Sequence, residues 1–266
     1  MTSHRRLGKV LVASLLLNAA VVSAPTGAAA AMPLCTLDGY HNLFVGNAYG
    51  STSLRGAQTT IEWFNDQLCT QRETFDYSWS LAWVGIVGVQ HQADDIFQGG
   101  FARCSSVGLS CPYNGGVSYH WWFWQYGDGA CGPATNSGIR KANKGNASAG
   151  MYNYKIDYRP ASSRYTFVIG GTDQTFIPTS TPATCWGGIR GAQWFNEMLD
   201  TSDQNGGTVA NHQTYSGSQW QDTARVWRTA PWPTSTPCGV NSYPTAWRCN
   251  NTATTGQFLD WDSRAP

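Results

Sequence analysis

The sequence predicts an all-β fold: an antiparallel β-sandwich of jelly-roll type, stapled by disulfides. Three observations predict it. Only 12% of the 266 residues are charged, too few for exposed amphipathic helices with solvated faces. Short aromatic and β-branched runs are separated by Gly, Pro and Asn turn signals, the pattern of a sandwich or barrel. The chain carries eight cysteines, and an even number behind an export signal points to a disulfide framework.

The N-terminal segment is read as that export signal. Arg5, Arg6 and Lys9 precede the largely apolar stretch Val10 to Ala24, and Ala28 to Ala31 offer A-x-A cleavage sites. The apolar run is about 15 residues long, short for a membrane span. Residues 1–31 are therefore expected to be a signal peptide and 32–266 a single β-sandwich domain, secreted, monomeric and off the membrane in its mature form. Removing the leader's three basic residues leaves 14 Lys and Arg against 16 Asp and Glu, a balance of −2. No basic footprint for nucleic acid exists. Arg140, Lys141 and Lys144 form only a short group, read as a solvated loop.

Strands are expected over 78–89, 117–126, 151–158, 164–169 and 223–228. No long 3.6-residue period appears, although Gly191 to Leu199 has the length of a short helix. In the most aromatic run, alternation puts Tyr119, Trp121, Phe123 and Gln125 on one face. His120, Trp122, Trp124 and Tyr126 take the other. One aromatic face is expected in the core and the other in a groove, or both are buried between layers. Ile189 to Gln193 echoes Leu54 to Gln58, read as a coincidence in a chain rich in Gly and aromatic residues. Cys104 with Cys111, and Cys238 with Cys249, would each close a short hairpin-like loop. No C-x₂₋₄-C spacing points to zinc, and no cofactor is implied.

The groups able to do acid–base chemistry are few: four histidines beyond the leader and the glutamates Glu62, Glu73 and Glu197. There is no G-x-S-x-G elbow and no H-E-x-x-H motif. The acid pair Asp94-Asp95 is adjacent in sequence, so on a strand its members face opposite ways.

Three motifs in order carry a resemblance. Ala82-Trp83-Val84-Gly85-Ile86, then Ile96-Phe97-Gln98-Gly99-Gly100, then Tyr119 to Tyr126 resemble the glutamic peptidases and their neprosin-like relatives. Trp186-Gly187-Gly188 and Gln213 to Ser218 are similar to later neprosin-like motifs. The resemblance implies a secreted hydrolase that cleaves polypeptide with a carboxyl as general base and a glutamine as oxyanion partner. Gln98 takes the glutamine's position. The triplet matching the family's A-E-W is Ala192-Gln193-Trp194, and Ile189 stands where the neprosin-like Glu follows W-G-G. Under either alignment the base is replaced.

The candidate catalytic residues are therefore Gln98, Gln193 and Glu197, with Trp83, Trp121, Trp122, Phe123 and Trp124 as candidate substrate-binding residues. Glu197 lies four residues beyond Gln193, which is the same face and about 13 Å away on a strand, or one turn away on a helix. Two functions follow. One is a glutamic-peptidase-like protein, an atypical acid endopeptidase or one that has lost its dyad. The other is a non-catalytic module binding extracellular glycan or peptide.

Overall fold

The computed structural model describes residues 43–52, 54–64, 68–69, 77–89, 95–106, 120–126, 140–146, 150–173, 186–198, 200–241 and 246–265. Side chains within strands at 77–78, 104–106, 120–121, 126, 140–146, 172–173 and 240–241 lie outside that set. The export signal, Glu73, Asp94 and Cys111 also lie outside the described residues. Everything described belongs to the compact unit 32–266.

The fold is a sandwich of two antiparallel sheets. The first sheet contains β1 (Leu43–Gly50), β3 (Tyr77–Gly88), β4 (Ile96–Ser106), β5 (His120–Tyr126), β6 (Arg140–Asn146), β10 (Ile189–Met198) and β13 (Val240–Asn241). Its order is β13-β1-β10-β3-β4-β5-β6. The second contains β2 (Leu54–Glu62), β7 (Met151–Arg159), β8 (Arg164–Ile169), β9 (Thr172–Asp173), β11 (Gln213–Asp222), β14 (Trp247–Asn251) and β15 (Phe258–Asp262). Its order is β14-β15-β11-β2-β7-β8-β9, and β12 (Trp227–Thr229) pairs with β11. The runs β3 to β6 and β7 to β9 are meanders. The chain crosses between layers at β1/β2, β2/β3, β6/β7, β9/β10, β10/β11, β12/β13 and β13/β14.

Alternation assigns each strand a face. Val45, Ala192, Trp194, Ala82, Val84, Ile86, Phe97 and Phe101 of the first sheet meet Ala57, Ile61, Tyr154, Ile156, Phe167 and Tyr215 of the second, and all are buried. Burying the Val, Ile and Phe side chains among them contributes roughly 1.5–3 kcal/mol each. Gly99 makes room for this packing: a Cβ there would lie 2.4 Å from the Phe167 ring. Trp194 Nε1 donates to the Gln58 carbonyl at 3.0 Å, tying β10 to the facing strand β2. The two copies of the echoed sequence thus lie on strands that face each other.

The interior also holds a polar centre. Asn196 Nδ2 donates to Gln213 Oε1 (2.6 Å) and Asp260 Oδ2 (2.5 Å), and Asn205 Nδ2 donates to Asp260 Oδ1. Tyr215 Oη lies 2.8 Å from both the Phe195 carbonyl and Asn196 Oδ1. These groups are buried, so their mutual bonds replace lost hydration.

Three expectations are corrected. Gly191 to Leu199 is no helix: 191–198 belongs to strand β10, paired on both sides with β1 and β3, and two ladders outweigh local propensity. Arg140, Lys141 and Lys144 lie on β6, at one edge of the first sheet, rather than in a loop; basic residues are common on edge strands. The strand expected over 223–228 begins at Trp227. Asp222 terminates β11 instead, accepting from the Val226 N–H (2.8 Å) and Arg228 Nε (3.0 Å) across a turn with Arg225 at φ 65°. Cys238 and Cys249 form the expected disulfide, and among the described residues no cysteine is free.

Candidate functional site

The face of the first sheet that points away from the second carries its own apolar cluster. Leu81, Trp83, Ala102, Phe123 and Phe195 are buried in it, with Phe44, Trp79 and Ile96 packed against them. Ring contacts hold it together: Trp83 meets Phe195 edge-on at 5.2 Å and Phe44 at 6.4 Å.

Register lines up polar residues across this face. Gln193 on β10 pairs with Gly85 on β3, Gly85 with Gln98 on β4, and Gln98 with Gln125 on β5. Directly paired residues share a face, so Gln193, Gln98 and Gln125 form one row interrupted by a residue without a side chain. Two strand spacings separate Gln193 from Gln98, about 9.5 Å between backbones. The space above Gly85 is taken by Trp83, whose ring would lie 2.7 Å from a Cβ built there.

Gln98 is 5% exposed. Its Nε2 donates to Gln125 Oε1 at 3.0 Å, while its Oε1 is buried and, among the described residues, accepts no hydrogen bond. Among the described residues no carboxyl bonds to Gln98. Gln193 and Gln125 are half-buried.

Glu197 lies on the same face, two residue pairs further along β10, opposite Leu81. The strand rise puts it about 13 Å from Gln193. It is 4% exposed and accepts from Trp83 Nε1 at 3.0 Å. Burial pushes its carboxyl up from 4.5 to about 8, partly offset by that N–H. Trp83 therefore stands between the two polar groups: its N–H holds Glu197 and its far edge covers Gly85.

The other predicted residues fall as follows. Phe123 is fully buried in the outer cluster. Trp124 belongs to the core between the sheets and Trp122 packs against that core, edge-on to Tyr152 at 5.4 Å. Of the two faces expected on this strand, the Trp122/Trp124 face enters the core and the Phe123 ring is buried in the outer cluster, so both described aromatic faces are buried. The Trp121 side chain lies outside the described residues. Trp186-Gly187-Gly188 forms the bend before β10, where the Trp186 and Gly188 carbonyls accept from the Val89 N–H. Gln213 is interior, donating to the Glu62 carbonyl at 2.9 Å. Among the described residues no group of three or more His, Cys, Asp or Glu is placed to hold a metal. No described helix is long and apolar enough to cross a membrane.

Sequence reading missed Gln125 as a partner of Gln98. Its signal was present, since it shares the alternating face of Phe123, but strand order and register are needed to bring it beside β4.

Among solved structures the chain is similar to SCP-B, a member of the eqolisin family of peptidases, in a complex with the tripeptide Ala-Ile-His. It is also similar to scytalido-glutamic peptidase with a transition-state analogue inhibitor. Each has a TM-score of 0.46 and 9% sequence identity, covering 84% of this chain and 100% of the other. No family model and no curated protein matches the chain.

Proposed function

We propose that the chain is a secreted, glutamic-peptidase-like protein that has lost its water-activating carboxyl and keeps a polypeptide-binding face. The observation that carries the reading is the register that lines up Gln193, Gly85 and Gln98 on one face of one sheet. These are positions that the sequence resemblance singles out, and nothing in the local alternation forces them into one row. Export is supported by the leader and by the Cys238–Cys249 disulfide, which suits an oxidising compartment.

The chemistry at the row is that of amides. A glutamine cannot take a proton from water at any useful pH, so Gln193 cannot act as the base. Glu197 does not replace it: about 13 Å of strand separates it from Gln193, and Trp83 occupies the way. General-base catalysis contributes roughly 10²–10⁴-fold, so its loss leaves binding with turnover near background.

The test is incubation of the purified protein with a denatured protein at pH 3–5, read by mass spectrometry, beside Gln193→Glu. The wild type should bind the polypeptide and cleave it barely. Gln193→Glu should raise cleavage by a factor approaching the roughly 10²–10⁴ range of a restored base. Robust wild-type cleavage, or a Gln193→Glu variant that binds but gains nothing, contradicts the reading. The glycan-binding alternative needs aromatic ring faces open to sugar, but Trp83 and Phe123 are 1% and 0% exposed. Retention on polysaccharide without retention of unfolded polypeptide would restore it.

A further inference from the structure

The Gln98–Gln125 pair has a consequence for what the site recognises. An amide side chain carries an acceptor at one end and two donors at the other. Gln98 has its donor end turned to β5, where Gln125 Oε1 accepts from it. Its acceptor end is buried and has no partner among the described residues. A buried acceptor without a donor is unfavourable, so a face that retains one is prepared for a donor arriving with a ligand. An oxyanion-binding amide would present the opposite end.

Residues around the pair leave few alternatives for that donor. Among the described residues, the row runs from Gln98 to Gly85, which has no side chain, then to Gln193, and beyond it to Ala48, which has no polar side-chain atom. Trp83 covers the gap over Gly85 with its ring edge while its N–H is committed to Glu197. An extended polypeptide supplies N–H groups at regular spacing along an edge. Such a ligand meets an acceptor at Gln98 and an amide of either sense at Gln193.

We infer that Gln125 is a positioning residue: by accepting the Gln98 amide proton it turns Gln98 Oε1 to the ligand, so the site selects a main-chain N–H of an extended polypeptide. This rests on the polypeptide-binding reading above. Gln125 itself need not touch the ligand.

Gln125→Glu is acceptor-only and keeps Gln98 in this orientation. Gln125→Lys is donor-only and reverses it, and Gln125→Leu removes the partner if the lysine variant fails to fold. Each full-length protein is titrated calorimetrically with a capped Ala-Thr repeat octapeptide and with the same peptide N-methylated at alternate residues. The wild type and Gln125→Glu should bind the parent within about twofold of each other, and the methylated peptide on the order of tenfold more weakly. Gln125→Lys or Gln125→Leu should lose about tenfold for the parent and no longer discriminate. The Gln98 side-chain NH₂ resonances should move in Gln125→Lys and stay in place in Gln125→Glu, a signature that a purely structural role would not produce. A wild type that does not bind the parent peptide overturns the polypeptide reading and this inference with it. A wild type that binds, with the two peptides equivalent or Gln125→Lys and Gln125→Leu unchanged, overturns this inference alone.

Discussion

Glu197 shows how one residue can bind the protein's stability to pH. Its carboxyl is buried in an apolar cluster with one indole donor among the described residues, and burial pushes it up from 4.5 to about 8. Below pH 4.5 the group is protonated in both folded and unfolded chains and makes no difference. Between 4.5 and about 8 the folded chain keeps a proton that the unfolded chain releases, so stability falls as pH rises. Above about 8 the loss is complete. At about 1.4 kcal/mol per pKa unit, the loss amounts to a few kcal/mol. Glu197→Gln keeps an acceptor for Trp83 and has no charge to bury. Its melting temperature should match the wild type at pH 4 and exceed it at pH 8, by roughly 2–4 °C per kcal/mol. Equal pH slopes for the two proteins would remove Glu197 from the account.

The strand β10 decides most of the site, and it was the least legible element. Its buried pattern is nearly continuous from Trp194 to Met198, because one face enters the core and the other enters the outer cluster. A stretch buried on both faces shows no alternation, which is why 191–199 has the length and texture of a short helix. What holds it as a strand is distant in sequence: β1 and β3 on its flanks, and Tyr215 and Asp260 from the other sheet. Tyr215→Phe leaves the Phe195 carbonyl and Asn196 Oδ1 without the hydroxyl and should destabilise by about 1–3 kcal/mol in urea denaturation. The Cys238–Cys249 bridge acts at the same scale. Its ends are 11 residues apart, and closing a loop of about that size contributes about 3 kcal/mol. Replacing both by Ser should lower stability by that order; an unchanged urea midpoint would mean the hairpin is held by its ladder alone.

At the scale of the whole molecule, the sandwich was legible from composition, turn signals and even cysteine count. β7 and β8 read true because polar and apolar residues alternate there against one buried face. Most of the remaining strands, rich in Gly, Asn and Gln, did not announce themselves. The candidate residues Gln98 and Gln193 came from short motifs, but their alignment on either side of Gly85 is a property of strand order that no local pattern holds. Gln125 needed the same knowledge. On the proposed reading, an unfolded polypeptide lies on the outer face of the seven-stranded sheet, along the glutamine row. The most direct measurement is the change in backbone amide resonances on adding a denatured, non-cleaved polypeptide. Shifts should concentrate at Gln193, Gly85, Gln98 and Gln125. Shifts concentrated instead on the opposite sheet, around Gln58 and Gln219, or none at saturating polypeptide, would contradict that reading.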